Sequence, residues 1–400
     1  MPPEAAELAR PASRRRASFL PFARPEIGNE EIAEVVECLR SGWITTGPRT
    51  ERFEKDFAAY VGVPHALAFA SGTAALHCAF WLLDLRPGDE VIVPSLTWPA
   101  TANMAAVLGA RVIFADIDPV TLQLSPEDAA RKVTERTRAI VPVHFGGAPA
   151  NLDALRELAG SRIAIVEDAA HAVGAEHRGA RIGVPSARGS CAFSFHPIKG
   201  MTTVEGGMLV VGDEDSARRA RLFRFHGVSR DAWTAYGSAG AARYDCVMPG
   251  FKYNLTDVAS AVGIHQLRKL DGFIERRTRI AEFYRRRLVE IPGVTLPQPP
   301  AYPHRHAWGL FPVLVDRRDE FLAGLRVRNV GAGIHFEALH RTGLYRSSSA
   351  PLPVTEQVCA RILSLPLFPG MSDEDAGDVV EAVADVARER AGQTPGGAPA

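Results

Sequence analysis

The stretch that decides the fold runs from residue 163 to residue 212 and contains three short apolar segments, IAIVED (163–168), SCAFSF (190–195) and GGMLVVG (206–212). Each segment has the length of a buried β-strand. The link between the second and third segments contains HPIKG (196–200) and is too short for a crossover helix. These two strands are therefore predicted to be antiparallel neighbours.

Upstream of this stretch, short apolar segments alternate with helical ones. The predicted strands are HALAFA (65–70), EVIVPS (90–95), RVIFADID (111–118) and AIVPVHF (139–145). Strands separated by helices of about 10 to 15 residues predict a parallel sheet that is covered on both faces.

Downstream, residues 256–290 are strongly helical and long enough to connect two domains. From about residue 305 the predicted strands GLFPVLVD (309–316) and GAGIHF (331–336) alternate with helices, and a last helix closes near 373–390. This change of pattern predicts a second, smaller α+β unit.

The expected architecture is thus an α/β fold with a mostly parallel central sheet in a large domain, residues 19–270, followed by a smaller C-terminal α+β domain, residues 271–391. Residues 1–18 have no hydrophobic periodicity and are expected to form a disordered arm. Residues 392–400 are expected to form a disordered tail.

Composition excludes several classes of function. The 46 basic and 46 acidic residues cancel, which argues against nucleic acid as a partner. The chain has no apolar stretch long enough to span a bilayer, and its first residues lack the apolar region of a secretory signal. Five scattered cysteines without a CxxC pair are typical of free thiols in a reducing compartment. A cytoplasmic protein without a membrane partner is expected.

Lys199 is conspicuous because lysine is scarce. Only five of the 46 basic residues are lysines. Lys199 stands among apolar residues, proline and glycine, where desolvation would lower the pKa of its amine and suit it to Schiff-base chemistry. The alternative is an ordinary exposed lysine in a turn.

Three further features are ambiguous when each is taken alone. Ser71-Gly72-Thr73, between a strand and a helix, forms either a phosphate cradle or a plain helix cap. Asp168, at a strand end, could hold a cation, a ribose hydroxyl or a protonated ring nitrogen, or could only cap a turn. His171 could be a functional group or a structural hydrogen-bonding residue.

The combination is more specific than its parts. A phosphate cradle, an aromatic residue near a strand end (Trp98), a strand-end aspartate and a lysine 31 residues later are the groups that pyridoxal phosphate requires. The indole would stack on the pyridine ring, Asp168 would keep the ring nitrogen protonated, and Lys199 would form the Schiff base. No metal is expected, because His304 and His306 have no cysteine or acidic ligands near them.

At these residues the sequence resembles the DegT/DnrJ/EryC1/StrS sugar aminotransferases, which are fold-type I pyridoxal-phosphate-dependent transferases. The resemblance runs from about residue 19 to residue 390. It is carried by GWITTGP (42–48), SGTAAL (71–76), PSLTWPATANM (94–104), GARVIFADID (109–118), PVHFGGAP (142–149), EDAAHAVG (167–174), FSFHPIK (193–199), EGGMLV (205–210) and GFKYNLTDVASAVG (250–263).

Within the family, the sequence is most similar to the branch that aminates a UDP-linked 4-keto pentose, the precursor of 4-amino-4-deoxy-L-arabinose. That similarity rests on FLPFARP (19–25), FSFHPIK (193–199), GFKYNLTD (250–257), HRHAWGLF (304–311), GIHFEALH (333–340) and SLPLFPGM (364–371). A related branch dehydrates sugars and has histidine in place of the lysine, so the presence of Lys199 favours the aminotransferase branch.

The resemblance implies roles for individual residues. Lys199 matches the cofactor-binding catalytic lysine, Asp168 the partner of the ring nitrogen and Trp98 the stacking aromatic. The other cofactor contacts that it implies are Gly72, Thr73, His171 and Ser194.

Further implied contacts involve the neighbouring subunit and the sugar. Asn254 matches an asparagine that reaches the phosphate of the neighbouring subunit, which implies a homodimer with shared active sites. Thr45, Thr46 and His335 are candidate sugar contacts, with loop or core positions as the alternative.

The activity that the resemblance implies is transfer of an amino group from an amino acid to the C4 keto group of a nucleotide-linked sugar. The amino acid that this family uses is usually L-glutamate. The alternatives are another keto position, another nucleotide carrier, or a noncatalytic regulatory protein that retains the fold.

Overall fold

The computed structural model describes residues 16–186, 188–229, 245–347 and 349–391. Most of the expected arm (1–18) and the expected tail (392–400) lie outside these ranges. Arg16, the first described residue, forms ion pairs with Asp375 at 2.7 Å and with Asp378 at 2.5 Å. The chain is therefore already held against its C-terminal helix at residue 16.

A seven-stranded sheet in the order β1-β9-β8-β5-β4-β2-β3 forms the centre of the large domain. Strand β9 pairs antiparallel with both of its neighbours, and the remaining pairings are parallel. The expected mostly parallel sheet and the expected antiparallel neighbours are both confirmed. The strands are β1 (His65–Phe69), β2 (Glu90–Pro94), β3 (Arg111–Ala115), β4 (Thr137–Ile140), β5 (Ala164–Asp168), β8 (Ser190–Ser194) and β9 (Gly207–Val211).

Helices cover both faces of this sheet, which is why its strands are apolar throughout. Alternate side chains of β2 enter different cores: Val91 and Val93 join one cluster and Ile92 joins another. The helices of this region are α1 (Asn29–Arg40), α2 (Pro48–Val61), α3 (Gly72–Trp81), α4 (Pro99–Val107), α5 (Pro126–Lys132), α6 (Leu152–Ala159) and α7 (Glu214–Phe223).

The long helix α8 (Asp257–Leu288) passes from one core into the other. Leu270 packs with the large-domain side chains, whereas Ile280 and Tyr284 pack with those of the small domain. The expected boundary between residues 270 and 271 thus falls inside a continuous helix.

The smaller unit has its own antiparallel sheet, in the order β10-β12-β13. Leu20 lies in its core, and the Leu20 amide donates to the carbonyl of Asn329 at 2.8 Å. The chain from residue 19 therefore packs first against the small unit and not against the large one. The elements are β10 (Val294–Thr295), β12 (Phe311–Val315), β13 (Ile362–Leu365), α9 (Arg318–Val327), α10 (Pro353–Cys359) and α11 (Asp373–Ala391).

Two smaller features complete the described structure. A second small sheet pairs β6 (Glu176–His177), β7 (Ala180–Arg181) and β11 (His304–Arg305). The prediction of a strand at 331–336 is wrong, because this segment forms only one bridge, between Gly333 and Ser364. Within the described ranges, no helix is long and apolar enough to cross a membrane.

Candidate active site

A cavity of about 310 Å³ opens at the carboxyl ends of β5 and β8, beside the first turns of α3 and α4. Ligands of open α/β sheets bind at such an edge, where strand ends and helix N-termini meet. The residues expected at the site that line this cavity are Gly72, Thr73, Trp98, Asp168, His171, Ser194, Lys199 and His335.

Asp168 is the last residue of β5 and is almost fully buried. The Thr101 hydroxyl donates to Oδ2 of Asp168 at 2.7 Å, and the Ala170 amide donates to Oδ1 at 3.1 Å. Both oxygens are thereby oriented, and each keeps capacity for another donor. The carboxylate is a fixed acceptor within the cavity wall.

Lys199 lies in the link between β8 and β9. Its backbone amide donates to the carbonyl of His196 at 2.9 Å, and the buried guanidinium of Arg277 donates to the next carbonyl, that of Gly200, at 3.0 Å. Burial lowers the pKa of the Lys199 amine to about 8, and the negative charge of Asp168 acts in the opposite direction. A neutral amine is therefore accessible near physiological pH.

The first turn of α3 rests on the end of β8. A Cβ atom on Gly72 would lie 2.8 Å from the Cβ of Ser194, so glycine allows this close approach. Ser71 caps the helix by accepting the Ala74 amide at 3.1 Å. The remaining amides of the turn, with the hydroxyls of Thr73 and Ser194, form a cradle suited to an anion.

Trp98 is the N-cap residue of α4 and is 61% exposed. Its ring centroid is 6.0 Å from that of Phe336, across the cavity mouth. An exposed indole at this position offers a flat apolar surface for a planar ligand.

Two histidines in the cavity are neutral at physiological pH. Burial lowers the pKa of His171 well below its usual value, and it lowers that of His335 to about 4, with the charge of Lys199 adding to both effects. Nδ1 of His335 hydrogen bonds to the Ser364 hydroxyl at 3.1 Å. Nδ1 of His171 is buried and has no hydrogen-bond partner within the described part of the chain.

Three expected site residues lie away from the cavity of this chain. The Asn254 amide donates to the Thr46 hydroxyl, and that hydroxyl donates to the carbonyl of Leu255 at 2.5 Å. The amide of Asp257, the first residue of α8, donates to the carbonyl of Thr45 at 3.0 Å.

The histidine pair at 304 and 306 has a packing role. His306 stacks on Trp308 with ring centroids 3.8 Å apart, and its Nδ1 accepts the Trp308 amide at 2.8 Å. The described residues contain no cluster of three or more His, Cys, Asp or Glu side chains that could hold a metal ion.

The sequence analysis overlooked Thr97, Thr101 and Phe336. Phe336 lines the cavity and stacks on His171 at a centroid distance of 5.8 Å. The two threonines flank Trp98 with a spacing of four, which places them on one side of a helical turn at a strand end. The spacing alone does not show that Thr101 contacts Asp168, which lies 67 positions away in the sequence.

A partly buried lysine in the link that follows β8 and a buried aspartate at the end of β5, in a sheet of this order, define an aminotransferase fold of type I. The chain belongs to the DegT/DnrJ/EryC1/StrS aminotransferase family, whose model matches residues 25–384.

Solved structures agree with this assignment. The aminotransferase TlmJ from Streptoalloteichus hindustanus is 33% identical, with 92% of this chain and 99% of that chain covered and a TM-score of 0.86. DesV from S. venezuelae is 36% identical, with 90% and 94% covered and a TM-score of 0.83. PseC from Helicobacter pylori, an aminotransferase of pseudoaminic acid biosynthesis, is 26% identical, with 93% and 100% covered and a TM-score of 0.86.

The family implies pyridoxal phosphate as cofactor, and the cavity fits it. The unpartnered Nδ1 of His171 is a buried polar atom that needs a ligand. The α3 cradle suits a phosphate, the Trp98 face suits a planar ring, and Asp168 has acceptor capacity for a ring nitrogen.

Proposed function

We propose that this chain is a pyridoxal-phosphate-dependent aminotransferase that moves an amino group from L-glutamate to the C4 keto group of a nucleotide-linked sugar. The observation that carries the proposal is the presence of the Lys199 amine, with its lowered pKa, in the same cavity as Asp168 and the α3 cradle.

The residues that would hold the cofactor are those of the cavity wall. Gly72, Thr73 and Ser194 would hold its phosphate, Trp98 its ring face, and Asp168 its ring nitrogen, with His171 near the ring. When bound, pyridoxal phosphate supplies a ring that accepts electrons from the substrate carbon that loses a proton.

Lys199 is the proposed nucleophile and proton carrier. With a pKa of about 8, roughly a tenth of its amines are neutral at pH 7, which is about 300-fold more than at the ordinary pKa of 10.5. The neutral Nζ can take a proton from a substrate carbon and return it elsewhere, as general base and then general acid. The hydrogen bond from Thr101 would hold the Asp168 carboxylate in place beside the ring.

The sugar assignment rests on sequence and on the cavity. The segments at 19–25, 304–311, 333–340 and 364–371 favour a UDP-linked 4-keto pentose as acceptor. In the cavity, the neutral imidazole of His335 can hydrogen bond to a sugar oxygen without adding charge. Thr45 and Thr46 are the other proposed sugar contacts.

We further propose a homodimer with shared active sites. Large apolar side chains of the α1 region are exposed in the single chain, among them Ile32, Leu39 and Ile44. Asn254 would face the phosphate of the neighbouring subunit. We also propose a cytoplasmic location, which suits the five free cysteines.

The test combines a spectrum with an assay across substrates. The purified protein should show the visible absorbance of bound pyridoxal phosphate, and L-glutamate should bleach it. Product formation is then measured with UDP-, dTDP- and GDP-linked sugars that carry the keto group at C4 or at C3. Highest kcat/KM with the UDP-linked 4-keto pentose supports the proposal.

The same experiment separates the alternatives. A higher kcat/KM with a C3 keto sugar, or with another nucleotide carrier, would show that the enzyme uses that acceptor instead. A colourless protein that takes up no cofactor would support a noncatalytic protein that retains the fold.

Lys199→Ala removes the amine on which the proposal depends. We expect turnover to fall at least about a thousandfold and the visible band of the bound cofactor to disappear, while circular dichroism stays that of the wild type. Lys55→Ala, at an exposed lysine paired with Glu51, is the matched control and should keep both activity and colour. Wild-type turnover in Lys199→Ala would refute the role of Lys199.

A further inference from the structure

Thr97, Thr101 and Asp168 form a hydrogen-bonded row beneath the cavity. The two threonine hydroxyls are 2.8 Å apart, and the Thr101 hydroxyl lies 2.7 Å from Oδ2 of Asp168. All three side chains are buried, and Thr101 is fully inaccessible to solvent. A row of this kind is shielded from competing water.

The direction of the row follows from proton counting. An ionised carboxylate can only accept, so Thr101 must donate its single hydroxyl proton to Asp168. Thr101 then has no proton left for Thr97, and Thr97 must be the donor to Thr101. Donation therefore runs from Thr97 through Thr101 to Asp168, and the position of Oδ2 is fixed by both threonines.

The same helical turn carries Trp98. Trp98 is the N-cap of α4, and the Thr101 amide donates to the Trp98 carbonyl at 3.2 Å. One turn thus carries both the residue proposed to stack on the ring and the hydroxyl that orients the proposed partner of the ring nitrogen.

We propose that Thr101 is a positioning residue that fixes the orientation of the Asp168 carboxylate toward a ring nitrogen, with Thr97 supporting it. This inference rests on the proposed cofactor function. Without the Thr101 hydroxyl, the carboxylate loses the donor that holds Oδ2 and can rotate about its last bond. Its interaction with a protonated ring nitrogen should therefore weaken.

The test measures how strongly the protein distinguishes pyridoxal phosphate from an analogue with carbon in place of the ring nitrogen. The cofactor is removed from the full-length chain, and the dissociation constant of each compound is measured by fluorescence titration. The readout is the ratio of the two constants, because it isolates the contact at the ring nitrogen from the contacts at the phosphate.

In the wild type the analogue should bind more weakly. In Thr101→Val, which has nearly the same shape, the ratio should fall by about five- to thirtyfold, as expected for loss of a hydrogen bond to a charged group. Thr101→Ser keeps the donor and should retain the ratio within about twofold. Thr97→Val should lower it by a smaller factor, in the same direction.

Thr355→Val is a matched control for general destabilisation. Thr355 is also fully buried, and its hydroxyl donates to a buried aspartate, Asp116, at 2.6 Å outside the cavity lining. Its ratio should equal that of the wild type even if its thermal midpoint falls. If Thr101→Val does not fold, Thr101→Ala serves instead, since alanine suits a helix.

The outcomes separate this inference from the proposed function. A wild-type protein that binds neither compound contradicts the proposed cofactor function. A wild type that prefers pyridoxal phosphate, together with an unchanged ratio in a folded Thr101→Val or Thr101→Ala, overturns the role of Thr101 and leaves the proposed function standing.

Discussion

Lys199 illustrates a conflict between function and stability at a single residue. Burial lowers the pKa of its amine to about 8, which means that the folded, cofactor-free protein holds a charged amine at a cost in stability at pH 7. The burial that makes the amine reactive therefore also lowers the stability of the folded protein.

Replacing this amine by an apolar chain of similar length should stabilise the cofactor-free protein. For Lys199→Met we expect a gain of about 2 kcal/mol at pH 7, measured by thermal or denaturant unfolding, together with loss of activity. Lys55→Met is the control, with an expected change within about 0.5 kcal/mol.

The gain in stability of Lys199→Met should decrease as pH rises. Between pH 8 and about 10.5 the unfolded wild type binds more protons at this lysine than the folded form, so wild-type stability rises with pH in that window. The methionine variant lacks this rise, and its advantage should be largest below pH 8 and shrink toward pH 10.5. A constant difference from pH 7 to pH 10 would contradict this account of Lys199.

The residues of the site with distinctive chemistry, Lys199 and Asp168, could be predicted from the sequence. Lys199 stood out because lysine is rare in the chain, and Asp168 because it ends an apolar strand. Thr101 has no such distinction, since a threonine in a helix is ordinary and its contact with Asp168 spans 67 positions. Its role becomes visible only when the strand end and the helical turn are placed together.

Among the elements, the first turn of α3 depends on the absence of a side chain at residue 72. The Cβ of an alanine there would lie 2.8 Å from Cβ and 3.2 Å from Cα of Ser194, and neither atom can move without displacing β8. Helix and strand would have to separate, which would enlarge the proposed phosphate cradle.

Gly72→Ala should therefore lower both stability and cofactor affinity. We expect the free energy of unfolding to fall by about 1–3 kcal/mol. The dissociation constant for pyridoxal phosphate, measured by titration of the cofactor-free protein, should rise. Gly272→Ala is the control, since Gly272 is exposed in α8 with open space at its Cβ position. It should gain about 1 kcal/mol from helix propensity and bind the cofactor normally. Equal effects of the two changes would contradict the argument from close approach.

Element positions were largely predictable because the periodic patterns are local. Strands β1, β2, β3, β5, β8 and β9 lie within the apolar segments that predicted them, whereas β4 (Thr137–Ile140) overlaps its predicted segment, 139–145, at only two residues. The segment at 331–336 has the composition of a strand but pairs with its neighbours only at Gly333. It instead places His335 and Phe336 in the cavity, and no local pattern distinguishes that outcome.

At the scale of the whole molecule, a buried serine and histidine join two segments that are 245 positions apart. The Ser95 hydroxyl, at the end of β2, accepts the His340 amide at 3.0 Å and lies 2.7 Å from Nδ1 of His340. Nε2 of His340 lies 3.0 Å from the carboxylate of Glu356, which can only accept, so Nδ1 is left to accept from Ser95. These residue types resemble a hydrolytic triad, but Ser95 is fully buried and acts as a structural link.

Ser95→Ala should loosen the segment that carries His335 and Phe336. It leaves the His340 amide and Nδ1 without their serine partner, and the expected cost is about 1–3 kcal/mol in the free energy of unfolding. KM for the sugar should rise more than kcat falls. Ser216→Ala removes an exposed hydroxyl that donates to Asp213 at 2.7 Å and should change neither quantity appreciably. A Ser95→Ala variant as stable as the wild type would show that the link contributes nothing.

The second sheet was predictable from the change of pattern along the chain, whereas the contacts between distant segments were not. Ser95 and His340 are 245 positions apart, and Leu20 packs beside Val330. Such contacts depend on the path of the whole chain, for which local composition carries no signal.

The unbroken course of α8 limits how the two units can move. A hinge between them at residue 270 would have to break the i to i−4 hydrogen bonds of a helix anchored by Leu270 on one side and by Tyr284 on the other. The continuous helix α8 would therefore resist the opening and closing motion seen in two-lobed binding proteins. Access for a bulky acceptor must come from rearrangement at the cavity rim and not from swinging one lobe away from the other.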